Sequence, residues 1–155
     1  MIRWLERNGY DVTYTSDIDM ARDASVITPS KHKVLLSVGH DEYWSAEQFN
    51  KFETARNNGV NIAFFSGNTL HWKTRWEDNF QTLVCYKEGT QGIYSCGSKC
   101  DPVTNVWTGL WRDGCLPAYG THDGCRPEGP FLAQMGWTES TGSIKVPDTY
   151  KNLRF

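Results

Sequence analysis

His40 and Glu42 stand two positions apart in Gly39-His40-Asp41-Glu42-Tyr43-Trp44-Ser45, and Asn68 stands in Ser66-Gly67-Asn68-Thr69. An imidazole can transfer protons near pH 7, and a carboxylate can act as a base or bind a metal. An asparagine amide can donate to a substrate oxygen. In extended backbone a His and a Glu two apart point to the same side. A carboxylate-bound cation with an Asn donor could polarise a carbonyl and stabilise an oxyanion, which is what amide hydrolysis needs. The competing reading is structural: Asp41 or Glu42 favours a helix N-terminus, His40 is a hydrogen-bonded histidine, and Ser66-Gly67-Asn68 is an ordinary turn. Other catalytic schemes find no residues. A nucleophile elbow of the Gly-x-Ser-x-Gly kind, its Cys equivalent and a phosphate-cradling Gly-rich loop do not occur.

These residues need elements to bring them together. Lys33-Val34-Leu35-Leu36-Ser37-Val38 reads as a strand whose continuous hydrophobicity predicts burial on both faces, as in a parallel sheet, with Gly39 ending it. Ser45 is placed to cap a helix, with Gln48 three residues on to complete a capping box, and Phe49, Phe52 and Ala55 form its apolar stripe. Asn57-Asn58-Gly59 stops that helix, and Val60 to Phe65 reads as a second buried strand. A strand, helix, strand unit puts its strands parallel and often adjacent. Ligands of such sheets bind outside the carboxyl ends of the strands. His40, Glu42 and Asn68 can therefore converge there, although Glu42 and Asn68 are 26 positions apart.

Elsewhere the signals are weaker. Residues 2 to 8 read as the end of a helix stopped by Asn8-Gly9, Tyr10 to Tyr14 alternates like a strand, and a short helical stretch is expected after Asp17. Gln81 to Tyr86 is expected to be a strand, and short β pieces are expected near Val106 to Leu110. The aromatic set Tyr43, Trp44, His71, Trp72 and Trp76 reads as core, while Arg75 and Arg112, each beside a Trp, read as stacked surface or interface arginines rather than anion clamps. The organisation expected is a single α/β domain over residues 1–155, with a core at about 1–90 and a loop-rich segment at about 91–155. Tyr150, Leu153 and Phe155 at its end are expected to need something to pack against.

Composition narrows the partners. With 155 residues, 16 Lys and Arg against 18 Asp and Glu, and 39% hydrophobic residues, the chain suits one folded domain. The near-neutral balance gives nucleic acid no basic excess to bind, and no apolar run approaches the ~18 residues of a membrane span. Met1 leads straight into an amphipathic turn without a signal-peptide pattern, so the protein reads as intracellular or as lacking its beginning. Cys96, Cys100, Cys115 and Cys125 crowd together as disulfides of an oxidising compartment would, leaving secretion open, whereas Cys85 stands apart as the expected free thiol. A zinc knuckle fits the Cys-x3-Cys spacing and lone His122 poorly.

Several segments together resemble a known family. They are Trp4 to Val12, Leu36 to Ser45, Phe64 to Asn68, Trp72-Lys73-Thr74-Arg75-Trp76 and Trp107 to Asp113. The sequence is similar to the C-terminal domain of the N,N-dimethylformamidase large (β) subunit family. That resemblance implies a mostly parallel three-layer α/β sandwich like the class I glutamine amidotransferases, without their Cys nucleophile. It also implies hydrolysis of a small neutral amide at a mononuclear iron held by two tyrosines and a glutamate. Glu42 takes the place of the iron-binding glutamate, His40 that of an active-site histidine and Asn68 that of an active-site asparagine. The family's tyrosine ligands would precede Met1 and a further catalytic glutamate would follow Phe155, so the chain is expected to be part of a larger protein and inactive alone. A cytoplasmic location and a homo-oligomer or second subunit in the full-length protein also follow from the resemblance. The alternative is a non-catalytic α/β domain binding carbohydrate or a protein through a Trp-rich surface.

Overall fold

The structure is a computed structural model that describes residues 1–23, 27–89, 99–115, 126–127, 129–132 and 149. It is an α/β arrangement of helices and small sheets. Helix α1 (Ile2–Arg7) is followed by α2 (Asp17–Arg22), strand β1 (Val34–Gly39), the short strand β2 (Tyr43–Ser45), α3 (Ala46–Asn57), β3 (Asn61–Ser66), β4 (Trp72–Glu77) and β5 (Thr82–Val84). Two 3-10 turns, Thr104–Val106 and Trp111–Cys115, precede α4 (Gly129–Leu132). No described helix is long and apolar enough to cross a membrane.

The strand, helix, strand unit forms as its pattern predicts. β1 and β3 pair in parallel from Val34 opposite Asn61 to Gly39 opposite Ser66. Helix α3 begins where the Ser45 hydroxyl accepts the Gln48 N–H at 3.2 Å. The other half of the expected capping box is replaced, because the Gln48 amide donates to Asp17 of α2 at 3.2 Å. A complete capping box occurs instead on α2, between Ser16 and Asp19. Phe49, Phe52 and Ala55 bury the face of α3 turned to the core, and Gly59 leaves the helix in the left-handed region at φ +95°.

Two sequence expectations need correction here. Tyr10 to Tyr14 is not a strand, because its alternation finds no hydrogen-bonding neighbour. It folds back on α1 instead: Tyr10 stacks on Trp4 with centroids 5.6 Å apart, and the Tyr14 hydroxyl donates to Glu6 at 2.7 Å. Burial of β1 and β3 on both faces also fails. Leu35 and Ser37 are buried, whereas Val38 and its register partner Phe65 are 44% and 58% exposed. Helix α3 packs on this sheet, and the opposite face is open among the described residues.

A second sheet continues the same two chain segments beyond the ends of β1 and β3. β2 pairs in parallel with β4, Tyr43 opposite Trp72, and β4 pairs antiparallel with β5, Trp76 opposite Leu83. Single bridges join Trp72 to Leu110 and Glu88 to Gly109, where short β pieces were expected. Between the sheets and α3 lies an aromatic core in which Trp44 is wholly buried and packs tilted on Phe52 and edge-on to Phe49. Trp111 meets Phe49 edge-on, and Phe131 of α4 meets Phe49, Trp44 and Phe64. Arg126 places its guanidinium 3.8 Å from the Phe49 ring centroid while bonding Asn50 and Glu53.

Arg75 corrects a third expectation. It is no stacked surface arginine, for it grips the buried Asp101 through both guanidinium nitrogens, at 2.8 and 3.1 Å, and also reaches Glu77 and the Val106 carbonyl. Cys85 carries a free thiol, and Cys100 is disulfide-bonded. Cys96 and Cys125 lie outside the described residues, as does nearly all of the chain's last stretch, including Tyr150, Leu153 and Phe155.

Candidate functional site at the strand ends

β1 and β3 end side by side, and two loops leave them: 40–42 toward β2, and 67–71 toward β4. Backbone hydrogen bonds sew the loops together. Gly67 N–H donates to the Gly39 carbonyl at 2.8 Å, Leu70 N–H to that of Asp41 at 3.0 Å, and both His71 and Trp72 N–H to that of Glu42 at 3.1 and 2.8 Å. The second loop bends through left-handed backbone at Asn68 (φ +50°) and Leu70 (φ +57°). Asn tolerates that region, whereas Leu is strained there and is held by complete burial.

Asp41 is the centre of this junction. Its carboxylate accepts from the Ser37 hydroxyl at 2.6 Å and the Trp44 indole at 2.8 Å, and its own N–H donates to the Ser66 hydroxyl at 3.0 Å. Burial raises its pKa above the ordinary carboxylate value, and the two side-chain hydrogen bonds only partly oppose this. Asp41 therefore turns inward, which explains its place between two residues that do not share its partners.

His40 lies exposed against the other loop, its ring packed over Gly67 so closely that a Cβ there would meet Cε1 at 3.3 Å. Glu42 is half-buried, and one oxygen accepts the Trp72 indole N–H at 3.0 Å. Asn68 is exposed on the same junction. The structure thus brings the loops bearing all three together, and no hydrogen bond joins the three side chains to one another among the described residues.

Around Glu42 stand groups whose roles the sequence did not reveal. The Lys87 ammonium lies 5.0 Å from the centroid of Tyr43 and 5.5 Å from that of Trp72. The Tyr43 hydroxyl above all, and to a lesser degree the Glu42 charge, raises the Lys87 pKa and keeps it a cation. His71 is buried edge-on to Trp72 at 4.7 Å. Burial, followed by the Arg112 cation, lowers its pKa, so the ring is neutral near pH 7. Burial likewise raises the Cys85 thiol and holds it protonated. Among the described residues no three His, Cys, Asp or Glu side chains gather as a metal site. Glu42, with one oxygen already engaged by Trp72, is the sole matched ligand, so the described residues do not by themselves fit a mononuclear iron.

Residues 1–128 match the family model described as N,N-dimethylformamidase beta subunit-like, C-terminal. The chain belongs to this family. The match covers His40, Glu42, Asn68, the aromatic residues around Glu42 and the Arg75 to Asp101 clamp. No curated protein matches the chain. Within a dimethylformamidase-like domain the Trp-rich composition serves mainly the interior: Trp44, Trp72, Trp107 and Trp111 are all buried.

Proposed function

We propose that this dimethylformamidase-like domain belongs to a hydrolase acting on the C–N bond of a small neutral amide. The observation that carries the reading is the sewn junction at the ends of β1 and β3, where His40, Glu42 and Asn68 occupy adjoining loops within the family match. Water attacks the amide carbon, the Asn68 amide donates to the carbonyl oxygen as it gains charge, and His40 takes the water proton and passes it to the departing nitrogen. One C–O bond forms, one C–N bond breaks, and a carboxylic acid and an amine leave.

Iron belongs to this reading through the family resemblance alone, with Glu42 as its matched ligand. The remaining ligands would come from outside the described residues. The 155-residue chain alone is accordingly expected to turn over little or no formamide. The same reading makes β1 and β3 part of the parallel sheet of a three-layer sandwich.

The test pairs metal analysis with amide hydrolysis in a version of the protein that extends beyond both ends of this sequence. Bound iron, and loss of most hydrolysis in His40→Ala, Glu42→Gln and Asn68→Ala, is the expected result. No bound metal together with unchanged hydrolysis in Glu42→Gln would overturn the reading.

A further inference from the structure

A groove opens at the amino end of β1, away from the candidate site. Val34 and Gly39 stand at opposite ends of that strand, about 17 Å apart at the rise of extended backbone. Beside Val34 the chain encloses a cavity of about 560 Å³, partly open to solvent and within the size range of small-molecule sites. Two stretches that are distant in sequence wall it: the segment before α2, which brings Thr13, and the turn into β1, which brings Lys31 and His32. The Thr13 hydroxyl bonds His32 Nε2 at 3.1 Å and ties the two walls together. The turn is itself fixed, since the N–H groups of Lys31 and His32 both donate to the Thr28 carbonyl, at 3.0 and 2.8 Å.

The lining limits the occupant. Ile27, Val34 and Leu35 give it apolar surface. Lys31 gives it a cation, and no carboxylate lines the cavity among the described residues. The Lys31 ammonium pairs with no carboxylate among them either, whereas the neighbouring Lys33 ammonium is turned onto the Pro29 carbonyl at 3.0 Å. His32 adds a polar atom to spare, for its Nδ1 is buried without a hydrogen-bond partner among the described residues. An unpaired cation above an apolar floor suits an organic anion better than a neutral molecule or a second cation.

We infer that this groove binds a small organic carboxylate with an apolar, ring-sized body. The carboxylate pairs with Lys31, and the body lies on Ile27, Val34 and Leu35. The site takes no part in amide cleavage and uses none of the residues proposed for it.

The test is a titration of the whole 155-residue chain, labelled with 15N, in which the backbone amide resonances are followed. Three probes share one ring and differ in charge: phenylacetate, phenylethanol and phenethylammonium. Phenylacetate is expected to shift the His32 and Leu35 resonances saturably and to bind more tightly than phenylethanol, with phenethylammonium weakest. Lys31→Ala changes an exposed side chain and is expected to weaken phenylacetate about fivefold, to the level of phenylethanol. Lys33→Ala is expected to leave the affinity unchanged. Val34→Phe, a second exposed change that narrows the cavity, is expected to weaken phenylacetate and phenylethanol alike. Equal losses in Lys31→Ala and Lys33→Ala would reduce the effect to general charge attraction and overturn the site. Shifts confined to His40 and Gly67 at the other end of the strands, or no saturable shift at all, would overturn it as well.

Discussion

Asp41 shows how a residue between two candidate catalytic groups can hold both in place. Removing its carboxylate in Asp41→Ala strands the Ser37 hydroxyl and leaves the buried Trp44 indole N–H with the Asp41 carbonyl alone, at 3.0 Å, and should cost about 1–3 kcal/mol in urea unfolding. Asp41→Asn keeps the shape and tests the charge. Because burial raises the folded pKa of Asp41, its stabilising contribution is full below the ordinary carboxylate value and is lost as pH rises through the folded value. Asp17 shifts in the same direction, through burial and then through repulsion from Asp41. The difference in unfolding free energy between wild type and Asp41→Asn should therefore be larger at pH 4 than at pH 7. A difference that shrinks on acidification would contradict this account. In the sequence His40, Glu42 and Asn68 are legible as reactive types at strand ends. Asp41 is not, because its partners Ser37, Trp44 and Ser66 can be recognised only once the loops are folded. Lys87 is hidden for the same reason, since it meets the Tyr43 and Trp72 rings across a distance along the chain that no local pattern encodes.

At the scale of elements, what the pattern predicts well is what depends on neighbours in sequence. Helix α3 is an example: the cap at Ser45 and the stripe Phe49, Phe52, Ala55 are local, and both appear in the fold. Ser45→Ala should cost about 1 kcal/mol, read as a lowered thermal midpoint with α3 intact by circular dichroism. An unchanged midpoint would mean that the Gln48 to Asp17 bond holds the helix start without the cap. The failures are equally physical. Tyr10 to Tyr14 alternates but has no strand beside it, and β4 escapes notice because Lys73 and Arg75 interrupt its hydropathy although both are largely buried. The bridge that closes β4 against the later chain depends on a glycine. A Cβ at Gly109 would lie 1.7 Å from Trp107 Cζ3 and 2.2 Å from the Glu88 carbonyl oxygen, so backbone and a buried ring would both have to move. Gly109→Ala should destabilise the fold by about 3 kcal/mol, whereas Gly67→Ala, where the nearest atoms are in the exposed His40 ring, should cost far less. Comparable losses in the two variants would show that the close approach at Gly109 is relieved elsewhere.

For the whole molecule, the Arg75 to Asp101 pair decides how the later chain is joined to the sheets. Asp101 has a fully buried side chain and, besides Arg75, accepts from the N–H groups of Val103 and Thr108 and from the Thr108 hydroxyl. One carboxylate thus organises residues 101–108 and fixes them to β4. Burial alone would raise the Asp101 pKa, but Arg75 and these hydrogen bonds outweigh it and leave the value below the ordinary one. The sign is opposite to that of Asp41: this contribution is present above the ordinary carboxylate pKa and is lost as pH falls through the folded value. Asp101→Asn leaves the largely buried Arg75 beside a neutral amide with the partly exposed Glu77 as its remaining carboxylate among the described residues, which should cost about 2 kcal/mol near neutral pH, with the difference from wild type closing on acidification. Urea unfolding at pH 7 and pH 3 measures both parts. The Cys85 thiol provides a second reading: it is half-buried and hydrogen-bonded to the Lys73 carbonyl at 3.8 Å, and the N–H of its neighbour Tyr86 donates to the Thr108 hydroxyl of the clamped segment at 2.8 Å. If residues 101–108 detach when Asp101 is protonated, Cys85 should react faster with a thiol reagent in Asp101→Asn than in wild type, at a pH where both remain folded. Equal thiol reactivity with a large loss of stability would mean that the pair supports the core as a whole rather than docking this segment.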